Sequence, residues 1–117
     1  MSNLSEDMRK YYDQFVDLFK KVQQFDPNYA KAFMEFVKES EKEGALSTKV
    51  KELISVALGV AARCHFCIAI HVKNAIEAGA TKQEIVEAGF VAALMGGGPT
   101  FTYLKYLFDA CEQFGAK

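Results

Sequence analysis

Charge of one sign is nowhere concentrated in this chain. Fourteen basic side chains stand against fifteen acidic ones, for a formal charge of −1, and no block of either sign occurs. That leaves no electrostatic footprint for a nucleic-acid backbone. A membrane span is also lacking: the longest uncharged run, Ala88 to Leu104, contains GGGP and cannot cross a bilayer as one helix. No secretory leader is expected, because Glu6, Asp7, Arg9 and Lys10 break up the first apolar positions. Only two prolines occur in 117 residues, half of which are hydrophobic and a quarter charged. This is the composition of a globular domain, not of a disordered or fibrous chain. Three cysteines, an odd number, fit a secreted disulfide framework poorly. A reducing cytoplasm is the expected setting, and there a close cysteine pair points to catalysis or metal.

Strand periodicity is missing too, as are linkers, repeats and low-complexity tracts. What is present is helix. From Met8, the residues Tyr11, Tyr12, Phe15, Leu18, Phe19, Val22 and Phe25 recur every three or four positions and draw one apolar stripe. Asp26 can cap a second helix with Pro27 in its first turn. Tyr29, Phe33, Phe36 and Val37 continue it toward Gly44. Ser47 or Thr48 can cap a third helix, which carries no charge between Leu53 and Ala62. An all-apolar helix belongs in the middle of a bundle or across a subunit interface, so a homo-oligomer is expected. A fourth helix runs to Gly79. The TKQE segment at 81–84 is a capping box for a fifth. GGGP then breaks the chain before a last helix with Phe101, Leu104, Leu107, Phe108 and Cys111. GGGPT lacks the Gly-Lys-Ser/Thr ending of a phosphate loop, which leaves it a helix-to-helix break. The expectation is one all-α domain spanning 1–117, a bundle of about six helices. No nucleotide or flavin fingerprint is present, so no cofactor is expected.

The chemistry concentrates in RCHFCIAIH, residues 63–71. Positions 64, 67 and 71 fall within roughly 60° of one another on a helix, so Cys64, Cys67 and His71 share a face. Arg63 and His65 read as flanking residues. At a helix start, free backbone N–H groups and the helix dipole favour a thiolate, which points to Cys64. His71, four positions beyond Cys67, can exchange a proton with that sulfur and points to Cys67 instead. The histidine contact weighs more, since it supplies a proton path as well as a charge. A base needs an orienter, and Glu52 is the candidate carboxylate, at the head of the apolar helix. Two other readings stand beside the redox dithiol: a pair of buried small hydrophobes, and a zinc site from Cys64, Cys67, His71 and Glu52. Cys111, on the apolar stripe of the last helix, reads as core.

Glu52 followed by Cys64-x-x-Cys67-x-x-x-His71, with LSTKVKELI and HVKNAIEAGAT around them, resembles the carboxymuconolactone decarboxylase superfamily in its AhpD-like alkylhydroperoxidase branch. The likeness covers roughly residues 46 to 98. It implies an all-helical fold assembled into trimers or hexamers. It also implies a peroxidase in which Cys67 attacks a hydroperoxide, Cys64 resolves, and His71 with Glu52 relays protons. A dithiol reductant of lipoyl or thioredoxin type would complete the cycle. AhpD itself has a histidine just before the second cysteine; here Phe66 stands there, and a histidine is found at His65. The decarboxylase that names the superfamily lacks the cysteine pair, so reaction on a small lactone, with His71 and Glu52 as acid and base, is the enzymatic alternative. An oligomeric or zinc-binding module is the non-enzymatic one.

Overall fold

Most helices start where a side chain can take up a free amide, and these starts set the order of the elements. The computed structural model describes residues 4–117, so the first three residues of the expected domain lie outside the described part. Helix α1 spans Arg9–Phe25 and α2 spans Pro27–Glu41. Between them Asp26 caps α2 by accepting the Tyr29 N–H at 3.1 Å, with Pro27 in the first turn. Ser47 caps α3, Thr48–Ala61, by accepting from the Val50 N–H. Helix α4 is His65–Glu77, and its capping residue is Cys64. Thr81 and Glu84 close the expected capping box at the start of α5, Lys82–Gly96. GGGP does not form a plain break. Gly97 adopts φ 72°, and residues Gly98–Phe101 wind a single turn, α6, before α7, Leu104–Phe114. Among the described residues, six long helices and one short turn therefore make the all-helical domain expected from periodicity.

The core is built from Met8, Val56, Val60, Ile68, Val72, Ile85, Leu107 and Cys111, all fully buried. Helix α3 packs most extensively on α4 and α5, while α7 closes over α4. Gly59 is what lets α3 and α4 meet so closely. A Cβ there would lie 3.0 Å from the Cys67 Cβ and 3.3 Å from its backbone carbon. Yet α3 is not enclosed on all sides. Val50, Ile54 and Leu58 keep 37, 45 and 63% of their surface exposed. On α5, Phe90, Val91, Leu94 and Met95 are exposed as well. No helix among the described residues is long and apolar enough to cross a membrane.

Candidate redox site

The turn joining α3 to α4 delivers both cysteines. Arg63 N–H donates to the Val60 carbonyl and Cys64 N–H to that of Gly59, each at 3.0 Å. That pair of bonds is a Schellman stop, whose left-handed position usually holds glycine. Arg63 occupies it with φ 54°. Cys64 is thereby set at the head of α4, where its Sγ accepts the Cys67 backbone N–H at 3.1 Å. The dipole argument made from the sequence thus has a concrete form at Cys64: an amide pointing at its sulfur. Cys64 and Cys67 are joined as a disulfide across a Cα–Cα separation of 5.2 Å. The zinc arrangement needs both as thiolates, and here they are bonded to each other. Cys111 is the remaining thiol, buried in the core, and burial pushes it up to about 11.

One turn beyond Cys67, His71 Nδ1 lies 2.7 Å from the Glu52 Oε1. Glu52, only 2% exposed, sits on the inner side of α3. Burial works against its charge, but hydrogen bonds from His71, Glu41 and Asn74 outweigh this and hold the carboxyl below its ordinary range. A carboxylate can only accept, so Nδ1 carries the proton in this contact. Nε2 is then the nitrogen left to exchange one.

A cavity of about 430 Å³ opens between α1, α2 and α4. Tyr12, Phe15, Phe33, Met34 and Ile70 make its apolar wall; Cys67, His71, Glu41 and Asn74 are at its polar end. Cys67 and His71 also border a second, shallower cavity of about 280 Å³ beside Ser55, Leu58, Gly59 and Ala62 of α3. Cys64 lines neither. Phe66 is part of the larger cavity's wall and meets Tyr11 edge-on, with ring centroids 5.4 Å apart. His65 contributes to neither cavity. Its ring is packed among Tyr11, Tyr103 and Tyr106, at centroid distances of 5.0, 5.4 and 4.3 Å.

Cys64, Cys67 and His71, singled out by spacing, thus come together with Glu52, the candidate orienter, while Arg63 and His65 line neither cavity. Two neighbours had been missed. Asn74 lies on the same α4 face, one turn past His71, and that register could have found it. Glu41 carries no such signal: it stands in KESEKEG, which reads as a solvated charge run.

The chain is thus an all-helical domain that carries a paired CxxC beside a buried Glu–His couple. Residues 27–109 match the carboxymuconolactone decarboxylase family model, a longer stretch than the 46–98 of the sequence likeness. The chain belongs to the carboxymuconolactone decarboxylase family. An uncharacterized protein of Cupriavidus necator is 32% identical over 111 residues, 92% of this chain and 97% of its own length. The structure of apo-lpg0406, a family protein from Legionella pneumophila, superimposes with a TM-score of 0.89 at 32% identity, covering 94% of this chain and 98% of that one. A Thermotoga maritima member, described with a suggested part in the antioxidative response, matches at 28% identity and TM-score 0.77, covering 89% and 88%.

Proposed function

We propose that the protein is an AhpD-like thiol peroxidase and disulfide oxidoreductase. One observation carries the reading: Cys67, bonded to Cys64, and His71, bonded to a buried carboxylate, line the same cavity. In the reduced protein His71 Nε2 takes the Cys67 proton. The thiolate attacks the terminal oxygen of a hydroperoxide, forming the S–O bond as the O–O bond breaks. The leaving alkoxide recovers the proton from the imidazolium and departs as an alcohol, with Cys67 left as a sulfenic acid. Cys64 thiol then displaces the hydroxyl, which leaves as water with the Cys64 proton, and the disulfide closes. A dithiol of lipoyl or thioredoxin type returns two electrons and two protons. A reducing cytoplasm is the proposed setting of that cycle. The antioxidative connection of the Thermotoga maritima relative supports the same reading.

Cys67 takes the attacking role because it faces both cavities beside His71, whereas Cys64 is the capping residue and lines neither of them. The test is peroxide consumption coupled to a dithiol reductant. Cys67→Ser should fall to the uncatalysed rate. Turnover of a peroxide by that variant at the wild-type rate overturns the assignment, and lactone turnover that survives loss of both cysteines favours the decarboxylase chemistry of the family name.

The exposed apolar side chains of α3 and α5 support the second part of the proposal, a homo-oligomer of the trimer or hexamer type. Sedimentation should find more than one copy per particle, and Leu94→Glu, at a site 80% exposed in the single chain, should dissociate it. A wild-type particle of one copy refutes this.

A further inference from the structure

Glu41 is the last residue of α2, and the corner that follows pins it. The Thr48 hydroxyl donates to the Glu41 carbonyl at 2.7 Å, Thr48 N–H donates to the Glu43 carboxylate, and Lys51 Nζ donates to the Lys42 carbonyl. These bonds tie the end of α2 to the first turns of α3, the helix that carries Glu52. A carboxylate oxygen of Glu41, one of Glu52 and a ring nitrogen of His71 all lie within 4.8 Å of one another. Two carboxylates cannot face each other at such range as two anions without strong repulsion, so the pair is stable with one proton between them. The half-buried Glu41 opens on the larger cavity, while Glu52 is enclosed and committed to the imidazole.

We propose that Glu41 is a positioning residue of the relay, which shares one proton with Glu52 and so keeps Glu52 as a single oriented anion behind His71. The proton stays on Glu41: its O–H donates to Glu52, and Glu52 accepts from both Glu41 and His71. Burial first, and then the hydrogen bond and charge of Glu52, push the Glu41 carboxyl up to about 7 from an ordinary 4.5. The groups facing it are Glu52 from α3 and His71 from α4, the latter pulling the other way. Cys67 and Tyr12 share the cavity wall. When Glu41 loses its proton, a second negative charge enters the polar end of the cavity. That charge repels the thiolate that must develop on Cys67 in the same cavity.

Where the AhpD likeness has a histidine, this chain has Phe66. The cavity wall beside Cys67 thus carries no second imidazole, and the buffering of charge here falls to the carboxylate pair. The shared proton follows from the closeness of the two carboxylates and the burial of Glu52; its kinetic consequence rests on the peroxidase reading above.

Selective carbon-13 labelling of glutamate carboxyls gives a test on the intact protein that needs no turnover. One carboxyl should titrate near 7, vanish in Glu41→Gln, and move toward the ordinary range in Glu52→Gln. A wild-type protein whose glutamates all titrate in the ordinary range overturns the proposal, as does a high-titrating carboxyl that persists in Glu41→Gln. Kinetics supplies a second arm. Peroxide turnover by the wild type should decline through pH 7, Glu41→Gln should hold its rate to higher pH, and Glu41→Asp should restore the decline. Identical pH profiles for wild type and Glu41→Gln also overturn it. Absence of peroxide turnover in the wild type refutes the peroxidase reading and leaves the carboxyl titration to decide on Glu41.

Discussion

Helix α4 carries two histidines six positions apart, and they share neither surroundings nor chemistry. His65 stands in the first turn with three tyrosine rings around it, a setting that holds a ring in place by tilted and edge-on ring contacts. His71, on the side facing α3, is fixed by a charge-assisted hydrogen bond to a carboxylate that has almost no water. One imidazole is a packing element; the other can take up a proton and have the resulting charge balanced. Residue type alone does not separate them. What does is whether a neighbouring helix presents a buried acid.

The contrast breaks if the two can be exchanged. His71→Ala should lower peroxide turnover by about 100-fold, within the usual range for removing a positioned general base. His65→Phe, which keeps a ring among the tyrosines, should stay within about twofold of wild type. Rates for both variants with one peroxide and one dithiol suffice. Comparable losses in the two would mean that the tyrosine-caged ring also belongs to the proton path, and would remove the distinction.

How far this was legible beforehand depends on the range of each signal. The helix starts were readable because caps are local: Asp26, Ser47 and the Thr81–Glu84 pair each act within three residues. The face shared by Cys64, Cys67 and His71 follows from helical period alone. Glu52 was readable as a carboxylate at the head of a charge-free segment, but its bond to His71 spans nineteen positions and needs the α3–α4 packing that Gly59 permits. Glu41 was not readable, because its burial comes from the corner pinned at Thr48 and from the cavity beside it. Helix α3 was expected to be central or at an interface because it carries no charge between Leu53 and Ala62; in the single chain only one side of it is covered.

Stability against pH sharpens the same contrast, since only the His71 side carries a carboxyl held up by burial. Between pH 4.5 and about 7 the folded protein keeps a proton on Glu41 that the unfolded chain has released. Stability from this group therefore falls as pH rises through that window, and the full penalty is present above it. Glu41→Gln keeps a hydrogen-bond donor toward Glu52 and removes the penalty. It should match wild type near pH 4 and exceed it at pH 8 by about 1–2 kcal/mol, after allowance for the group's partial exposure. Urea midpoints at the two pH values measure this, and a constant offset at both would show that Glu41 does not hold the extra proton.

The smallest effect lies in the backbone at the two ends of α4. At its far end Gly79 takes the left-handed position, with φ 95° and the Ala80 N–H returning to the Ala75 carbonyl. The same stop at the end of α3, leading into Cys64 and α4, holds Arg63. A side chain there sets Cβ against the backbone at a cost of roughly 1 kcal/mol, part of which glycine would return as unfolded-state entropy. Arg63→Gly should therefore stabilise the protein by about 0.5 kcal/mol. Gly79→Ala should destabilise it by about 1 kcal/mol for backbone reasons alone, because nothing lies within 4 Å of a Cβ at that position. Urea midpoints read both. If Arg63→Gly instead lowers stability, the Arg63 side chain contributes more to the turn that sets Cys64 in place than its backbone conformation costs, and the stops of α3 and α4 are not equivalent.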